Sequence, residues 1–342
     1  MPSSKDVAKK AGVSQTTVSR VLNNPSAVAP DTREKVLRAI EMLGYIPDAN
    51  ARSLVSQKTH TISLISGPLH NAFFVDSTTE IIKYANQVGY KVNVHFSDGN
   101  IDDVYDMVLS YKVDGLILSC LLWEDPIIYR LQKLKCPFIS FNRRHRFVGN
   151  YVELDNFEAG RIAVRHLMDN GHRNILWVGG SMKMSTFRNR YLGFKYETNL
   201  MVKMPGYENL RIRAVNYKET DQPDLEVMLQ SLINNHAIPS AICAATDSLA
   251  MGLMNGLIKL GFSIPKDISI IGIDNVSASA SPLVQLTTVG VADQSQLGDI
   301  AIRQLINRIE NQNNHDSYEE ISEDIRITKP VSLFERRTTR KV

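Results

Sequence analysis

The stretch Ser4-Lys5-Asp6-Val7-Ala8-Lys9-Lys10-Ala11-Gly12-Val13-Ser14-Gln15-Thr16-Thr17-Val18-Ser19-Arg20-Val21-Leu22 reads as helix, tight turn, helix. Val7, Ala8 and Ala11 recur at the spacing of one helical face. Gly12 permits the sharp turn because it tolerates backbone angles that a side chain forbids. Ser14 suits the N-cap of a second helix, whose buried face is Val18, Val21 and Leu22. The opposite face carries Gln15, Thr16, Thr17, Ser19 and Arg20, all short or hydrogen-bonding. They sit beside a helix N-terminus whose free N–H groups suit a phosphate. The pattern is a helix-turn-helix whose second helix fits a DNA major groove. Two short helices around a glycine also occur in helical domains that bind no DNA, where such a face is simply solvated.

The next segment extends the pattern. Pro30-Asp31-Thr32-Arg33-Glu34-Lys35-Val36 opens a third helix, with proline in its first turn and Asp31 favourable to the dipole. Val36, Ile40 and Leu43 make its apolar stripe, and Gly44 ends it. Tyr45-Ile46-Pro47-Asp48-Ala49-Asn50-Ala51-Arg52-Ser53-Leu54 follows, with small residues and one leucine. Three helices on a small core and such a segment suit a DNA-reading headpiece and its hinge.

Asp6-Val7-Ala8, Ala11-Gly12-Val13-Ser14, Thr17-Val18-Ser19-Arg20-Val21, Thr32-Arg33-Glu34-Lys35-Val36 and Gly44-Tyr45-Ile46-Pro47 resemble the headpiece of the lactose-repressor (LacI-type) family. Ala51-Arg52-Ser53-Leu54 resembles its hinge helix. The resemblance implies that Gln15, Thr16 and Arg20 touch bases while Ser14, Thr17 and Ser19 hold phosphates. It also implies that Asn50, Ala51 and Leu54 form a hinge that becomes helical on operator DNA, with Leu54 wedged into the minor groove. Three departures stand out. Ala29 replaces a capping serine, Ser4 an apolar residue, and Val55 a lysine that adds a DNA contact in some members.

Charge is distributed unevenly. The whole chain carries 39 Lys/Arg and 36 Asp/Glu, a net of +3. Residues 1–60 hold nine Lys/Arg and five Asp/Glu, a net of +4, which leaves −1 for the rest. The basicity therefore lies in the DNA-reading part. The three cysteines, Cys120, Cys136 and Cys243, fit no metal spacing and read as reduced core thiols. No cofactor motif is present. No apolar run approaches the roughly 20 residues of a membrane helix, and the N-terminus lacks a signal-peptide core. The expected setting is the cytoplasm.

After residue 60 strands and helices alternate. Apolar runs at 61–66, 91–96, 115–119, 137–141, 174–178, 241–244 and 268–273 read as strands, separated by amphipathic helices. Such alternation predicts parallel, doubly wound sheets, whose ligands lie beyond the carboxyl ends of the strands. The expected class is α/β, a helix-turn-helix headpiece followed by two doubly wound subdomains that enclose a cleft.

This body also resembles the family, whose core is like a periplasmic sugar-binding protein. The matching segments are Val113-Asp114-Gly115-Leu116-Ile117, Gly171-His172-Arg173-Asn174-Ile175, Ala245-Thr246-Asp247-Ser248-Leu249-Ala250-Met251-Gly252, Ile271-Gly272-Ile273-Asp274-Asn275, Leu286-Thr287-Thr288-Val289 and Arg336-Arg337-Thr338-Thr339. Gly290-Val291-Ala292 departs from the family's polar residue and proline. The implied division is headpiece 1–47, hinge and linker 48–60, first subdomain 61–156 with 290–318, second subdomain 157–289 with 319–335, and a basic tail 336–342.

Effector contacts are expected at strand ends. Phe73 and Phe74 follow the first strand, where they either stack on a ligand or pack in the core. Asn142 and Arg143 follow the fourth strand. Arg188 and Arg190 begin the helix after the fifth. Asp247 and Asp274 end two later strands, Asp247 with a helix cap as its alternative role. In the family the carboxylate at Asp274 accepts hydrogen bonds from ligand hydroxyls. Several arginines near one cleft favour a sugar acid or sugar phosphate over a neutral sugar.

The expected protein is thus a repressor controlled by a small sugar-like effector, binding a pseudo-palindromic operator as a homodimer or higher assembly, with no membrane partner. A secreted sugar-binding component would share the core but not the headpiece. An enzyme would need a phosphate loop, nucleophile elbow or metal cluster, and the sequence shows none.

Overall fold

The structure is a computed structural model that describes residues 2–46, 58–67, 71–96, 101–216, 222–293, 295–314 and 324–342. The chain divides into two units, Met1–Thr59 and His60–Val342.

The first unit is built from α1 (Ser4–Ala11), α2 (Gln15–Asn23) and α3 (Pro30–Leu43). A reciprocal capping box between Ser3 and Asp6 starts α1. Gly12 ends it with a left-handed φ of 67°, so the turn uses the freedom that only glycine has there. Ser14 caps α2 by accepting from the Thr17 N–H at 3.1 Å. No side chain caps α3 at Ala29, so Pro30 and Asp31 carry that start alone. Val7, Ala8, Val18, Val21, Val36 and Ala39 form the core. On α3 the buried pair is Val36 and Ala39, while Ile40 and Leu43 are only partly buried.

The second unit holds two six-stranded sheets. The first is ordered β11-β5-β4-β3-β1-β2, with β1 Thr61–Ser66, β2 Lys91–Phe96, β3 Gly115–Leu118, β4 Phe138–Phe141, β5 Tyr151–Leu154 and β11 Arg326–Lys329. The second is ordered β12-β10-β9-β8-β6-β7, with β6 Asn174–Gly179, β7 Arg211–Asn216, β8 Ala241–Ala244, β9 Ser269–Asp274, β10 Thr287–Gly290 and β12 Ser332–Phe334. Among the described residues every strand pairing is parallel except β10 with β12. The helices are α4 Ala72–Gln87, α5 Ile101–Ser110, α6 Ile127–Lys133, α7 Asn156–Asp169, α8 Ser185–Met201, α9 Gln222–Asn234, α10 Asp247–Lys259 and α11 Ser295–Asn314. Central strands such as β3 and β8 are buried along their whole length because helices cover both faces.

Two expectations about the chain's return need correction. Residues 326–329 were expected in the second subdomain, but β11 joins the first sheet beside β5. The last crossing therefore falls between β11 and β12. Residues 336–342, expected as a separate basic tail, bond into the second subdomain. Thr338 donates to the Ile270 carbonyl at 2.7 Å, and the Val342 N–H donates to the Asn170 carbonyl. Among the described residues no helix is long and apolar enough to cross a membrane.

Candidate DNA-reading face and ligand cleft

On α2 the core takes Val18 and Val21, which leaves Gln15, Thr16, Ser19 and Arg20 exposed. Ser14 and Thr17 are tied to each other through their hydroxyls at 2.8 Å, at the helix start. Gln15 Nε2 donates to Ser4 Oγ at 2.8 Å, linking the two helices. The outward face can thus offer an amide, two hydroxyls and a guanidinium, the groups that read base edges and phosphates. Asn50, Ala51 and Leu54, expected in the hinge, lie outside the described residues.

Between the two sheets, the carboxyl ends of the strands converge on an inner chamber. The first subdomain contributes Asn71, Phe73, Phe74, Asn142 and Arg143; the second contributes Thr186, Phe187, Arg190, Thr246 and Asp274. Its free volume is about 10 Å³, room for about one water.

Arg190 organises the second subdomain's side. Its guanidinium is fully buried and donates to Asn156 Oδ1 at 2.8 Å, to the Ala245 carbonyl at 2.5 Å and to Asp274 Oδ1 at 2.5 Å. Asp274 ends β9 with a left-handed φ of 139°, and Asn142, just past β4, has a φ of 64°. Both are conformations that a side chain disfavours, held at the mouth of the strands. Asn142 Oδ1 is buried and has no hydrogen-bond donor among the described residues. It is the group most in need of a ligand proton in the chamber.

The other expected residues divide. Phe73 and Phe74 are almost fully buried, and Phe73 stacks on Phe141 with ring centroids 5.6 Å apart. They are core residues that also line the chamber. Asp247 does not line it. Its carboxylate accepts from the Val276 N–H at 3.0 Å and from the Thr288 hydroxyl, and Thr246 rather than Asp247 caps α10. Burial, then the neighbouring Asp274 charge, pushes the Asp247 carboxyl up. Arg188 also points elsewhere. Two residues apart on α8, Arg188 and Arg190 face opposite sides of the helix, and Arg188 lies 5.5 Å over the ring of Trp123.

Glu153, on β5, was not anticipated. It sits behind the chamber, accepting from Asn156 Nδ2 at 3.1 Å and facing Arg144 at 3.2 Å. Burial pushes its carboxyl up to about 7 from an ordinary 4.5, against the pull of Arg144 and the hydrogen bond from Asn156. The folded state therefore favours the protonated acid. This contribution to stability is fully present below pH 4.5 and is lost as the pH rises through about 7. Glu153→Gln should gain about 3 kcal/mol on the wild type between pH 4 and pH 8, measured by denaturant unfolding. A difference that stays flat with pH would refute the assignment.

Direct hydrogen bonds join the two sides. The Thr186 hydroxyl donates to the Asn142 carbonyl at 2.7 Å, the Arg144 N–H to Ser185 Oγ at 2.9 Å, and Ser248 Oγ to Asn71 Oδ1 at 2.9 Å. Asn71, Asn156, Thr186 and Thr246 are polar residues of the cleft that the sequence did not single out. All four stand at or within one residue of a helix start. That position was the available signal, because in this fold helix starts face the carboxyl ends of the strands.

Residues 4–48 match the family model described as bacterial regulatory proteins, lacI family. Residues 59–337 match the one described as periplasmic binding proteins and sugar binding domain of LacI family. A protein of Glaesserella parasuis named HTH-type transcriptional repressor PurR is 31% identical over 93% of each chain. A Histophilus somni protein of the same name is 31% identical over 98% of this chain and 100% of its own. Among solved structures, the lac repressor dimer bound to operator and the anti-inducer ONPF superposes with a TM-score of 0.81 at 26% identity, covering 99% of each chain. The headpiece, the two parallel sheets and their cleft are shared along the length of these chains, so the protein belongs to the LacI family of bacterial regulatory proteins and is a DNA-binding transcriptional regulator.

Proposed function

We propose that the protein is a cytoplasmic repressor, without enzymatic activity, that binds a pseudo-palindromic operator as a dimer. One α2 helix serves each half-site. A small polyhydroxylated effector held in the cleft sets operator affinity. The relatives' repressor name and the operator-bound lac repressor dimer support the DNA part. The observation that carries the effector part is the buried Arg190–Asp274 pair facing the unsatisfied Asn142 oxygen across the chamber.

Arg190 and Asp274 belong to the second subdomain, Asn142 and Arg143 to the first. A ligand that bonds to both sides favours one closure of the cleft over another. Closure sets the spacing of the two hinges in a dimer, and with it the fit of the two reading helices to their half-sites. The Arg190 charge is matched by Asp274, whose carboxylate can also accept from ligand hydroxyls. Asp247 supports it from behind, fixing the chain after β9 through the Val276 N–H.

On DNA, Gln15, Thr16 and Arg20 read bases and Ser14, Thr17 and Ser19 hold phosphates. Gln15 exchanges its bond to Ser4 for a base edge. Arg20 is exposed in the headpiece, so its truncation leaves the fold intact. Arg20→Ala should cost ~1–3 kcal/mol of operator affinity, measured by fluorescence anisotropy at fixed salt. Unchanged affinity would mean that α2 docks otherwise.

A further inference from the structure

A second, larger chamber, with a volume of about 840 Å³, lies past the carboxyl ends of β3 and β6. Small-molecule pockets typically measure roughly 300–1,000 Å³. The outer chamber has that room. Its walls come from both subdomains: Trp123, Glu124 and Arg146 on one side, Lys183 and Arg188 on the other. The Trp123 N–H donates to the Lys183 carbonyl at 2.7 Å, and the Arg146 N–H donates to the Trp123 carbonyl at 2.7 Å, so the walls are tied together.

The charge in this chamber is not balanced. Glu124 is paired with Arg146 at 2.5 Å. Asp125 is turned inward, accepting from the Leu122 N–H, the Ile127 N–H and the Tyr105 hydroxyl. Arg144 is engaged by Glu153. Lys183 and Arg188 have no carboxylate partner among the described residues. They flank the N-terminal end of α8, 17 residues long, whose first turn receives no side-chain cap from Met184. The helix dipole adds positive potential at that end. Arg188 is also half-buried against Trp123, which fixes its guanidinium.

We propose that the outer chamber binds the oxyanion of a small ligand, a phosphate or a carboxylate, between Arg188 and Lys183. This deepens the effector reading and rests on it. The anionic group belongs to the arginine that faces Trp123, not to Arg190. An anion there touches the second subdomain while lying against the first subdomain's Trp123 loop, so it stabilises the closure seen here.

The test uses the full-length protein at constant ionic strength with pyrophosphate and citrate as probes, read by calorimetry and by tryptophan emission. At least one probe should saturate, and which one it is decides between phosphate and carboxylate. In the Lys183→Gln/Arg188→Gln double variant its half-saturation should rise about tenfold or more. Asp274→Asn should leave it within about twofold. Trp123→Phe should keep the heat of binding and lose the emission change. Neither probe saturating, equal binding by the double variant, or a loss in Asp274→Asn as large as in the double variant would each overturn the proposal. Operator affinity that never responds to a cleft ligand, with probe binding intact, would count against the effector reading alone.

Discussion

Asp274→Ala should destabilise the protein by about 3–5 kcal/mol, because it leaves the fully buried Arg190 guanidinium without its counter-charge. Arg190 keeps its bonds to Asn156 and the Ala245 carbonyl, but two neutral acceptors do not replace a carboxylate at 2.5 Å. The loss should appear as a lower denaturant midpoint with unchanged slope. Asp274→Asn keeps an acceptor toward Arg190 and should fold more readily. In that variant basal operator binding should persist while the response to effector weakens by ~1–3 kcal/mol, the cost of ligand hydroxyls left without their acceptor. An Asp274→Ala protein as stable as wild type would show that Arg190 is neutralised in another way.

Gly193→Ala should be comparably damaging, against the ordinary trend. In a helix interior the change from glycine to alanine gains ~1 kcal/mol of propensity. Here the added Cβ would stand 1.9 Å from the Phe157 carbonyl oxygen on α7. The neighbouring contact is the mirror case: a Cβ on Gly160 would stand 2.0 Å from the Arg190 carbonyl oxygen. Both opposing atoms are backbone, so a whole helix must shift. The steric term therefore exceeds the propensity gain, and a net loss of ~3 kcal/mol or more is expected. The shift would also move Arg190, one turn before Gly193, away from Asp274. Weaker effector binding should accompany the lower stability, in a calorimetric titration on the fraction that folds. A stabilised Gly193→Ala protein would contradict the close approach of α7 and α8.

The sequence disclosed the parts of the fold that have a strong period. Central strands such as β3 and β8 are buried on both faces, so they read as unbroken apolar runs. Strands β7, Arg211–Asn216, and β11, Arg326–Lys329, lie at sheet edges, carry charged residues and are half exposed. Their pairing is set by the sheet they complete rather than by their own composition, and β11 was accordingly placed on the wrong side of the cleft. β5, with Glu153 at its third position, was hidden because an acid in a strand is rarely buried.

The lining of the candidate chamber was legible where a residue type and a strand end coincide, as at Asp274 and Asn142. It was not legible where direction mattered. Arg188 and Arg190 look equivalent in the sequence, yet the helical period sends one to Trp123 and the other to Asp274. Asp247 and Asp274 look alike in the sequence as acids near strand ends, yet Asp274 ends β9 while Asp247 opens α10 and turns its carboxylate back to Val276 and Thr288. These choices depend on long-range packing, which no local pattern encodes.

The central claim is that α2 reads a symmetric DNA site through its exposed face. Selection of bound sequences from a random duplex pool by the full-length protein tests it most directly, run in parallel with Arg20→Ala. The account predicts that the wild type enriches a two-fold symmetric site, and that Arg20→Ala relaxes the preference at one position in each half-site. No enriched sequence, an enriched site without symmetry, or identical base preferences in the two proteins would contradict it.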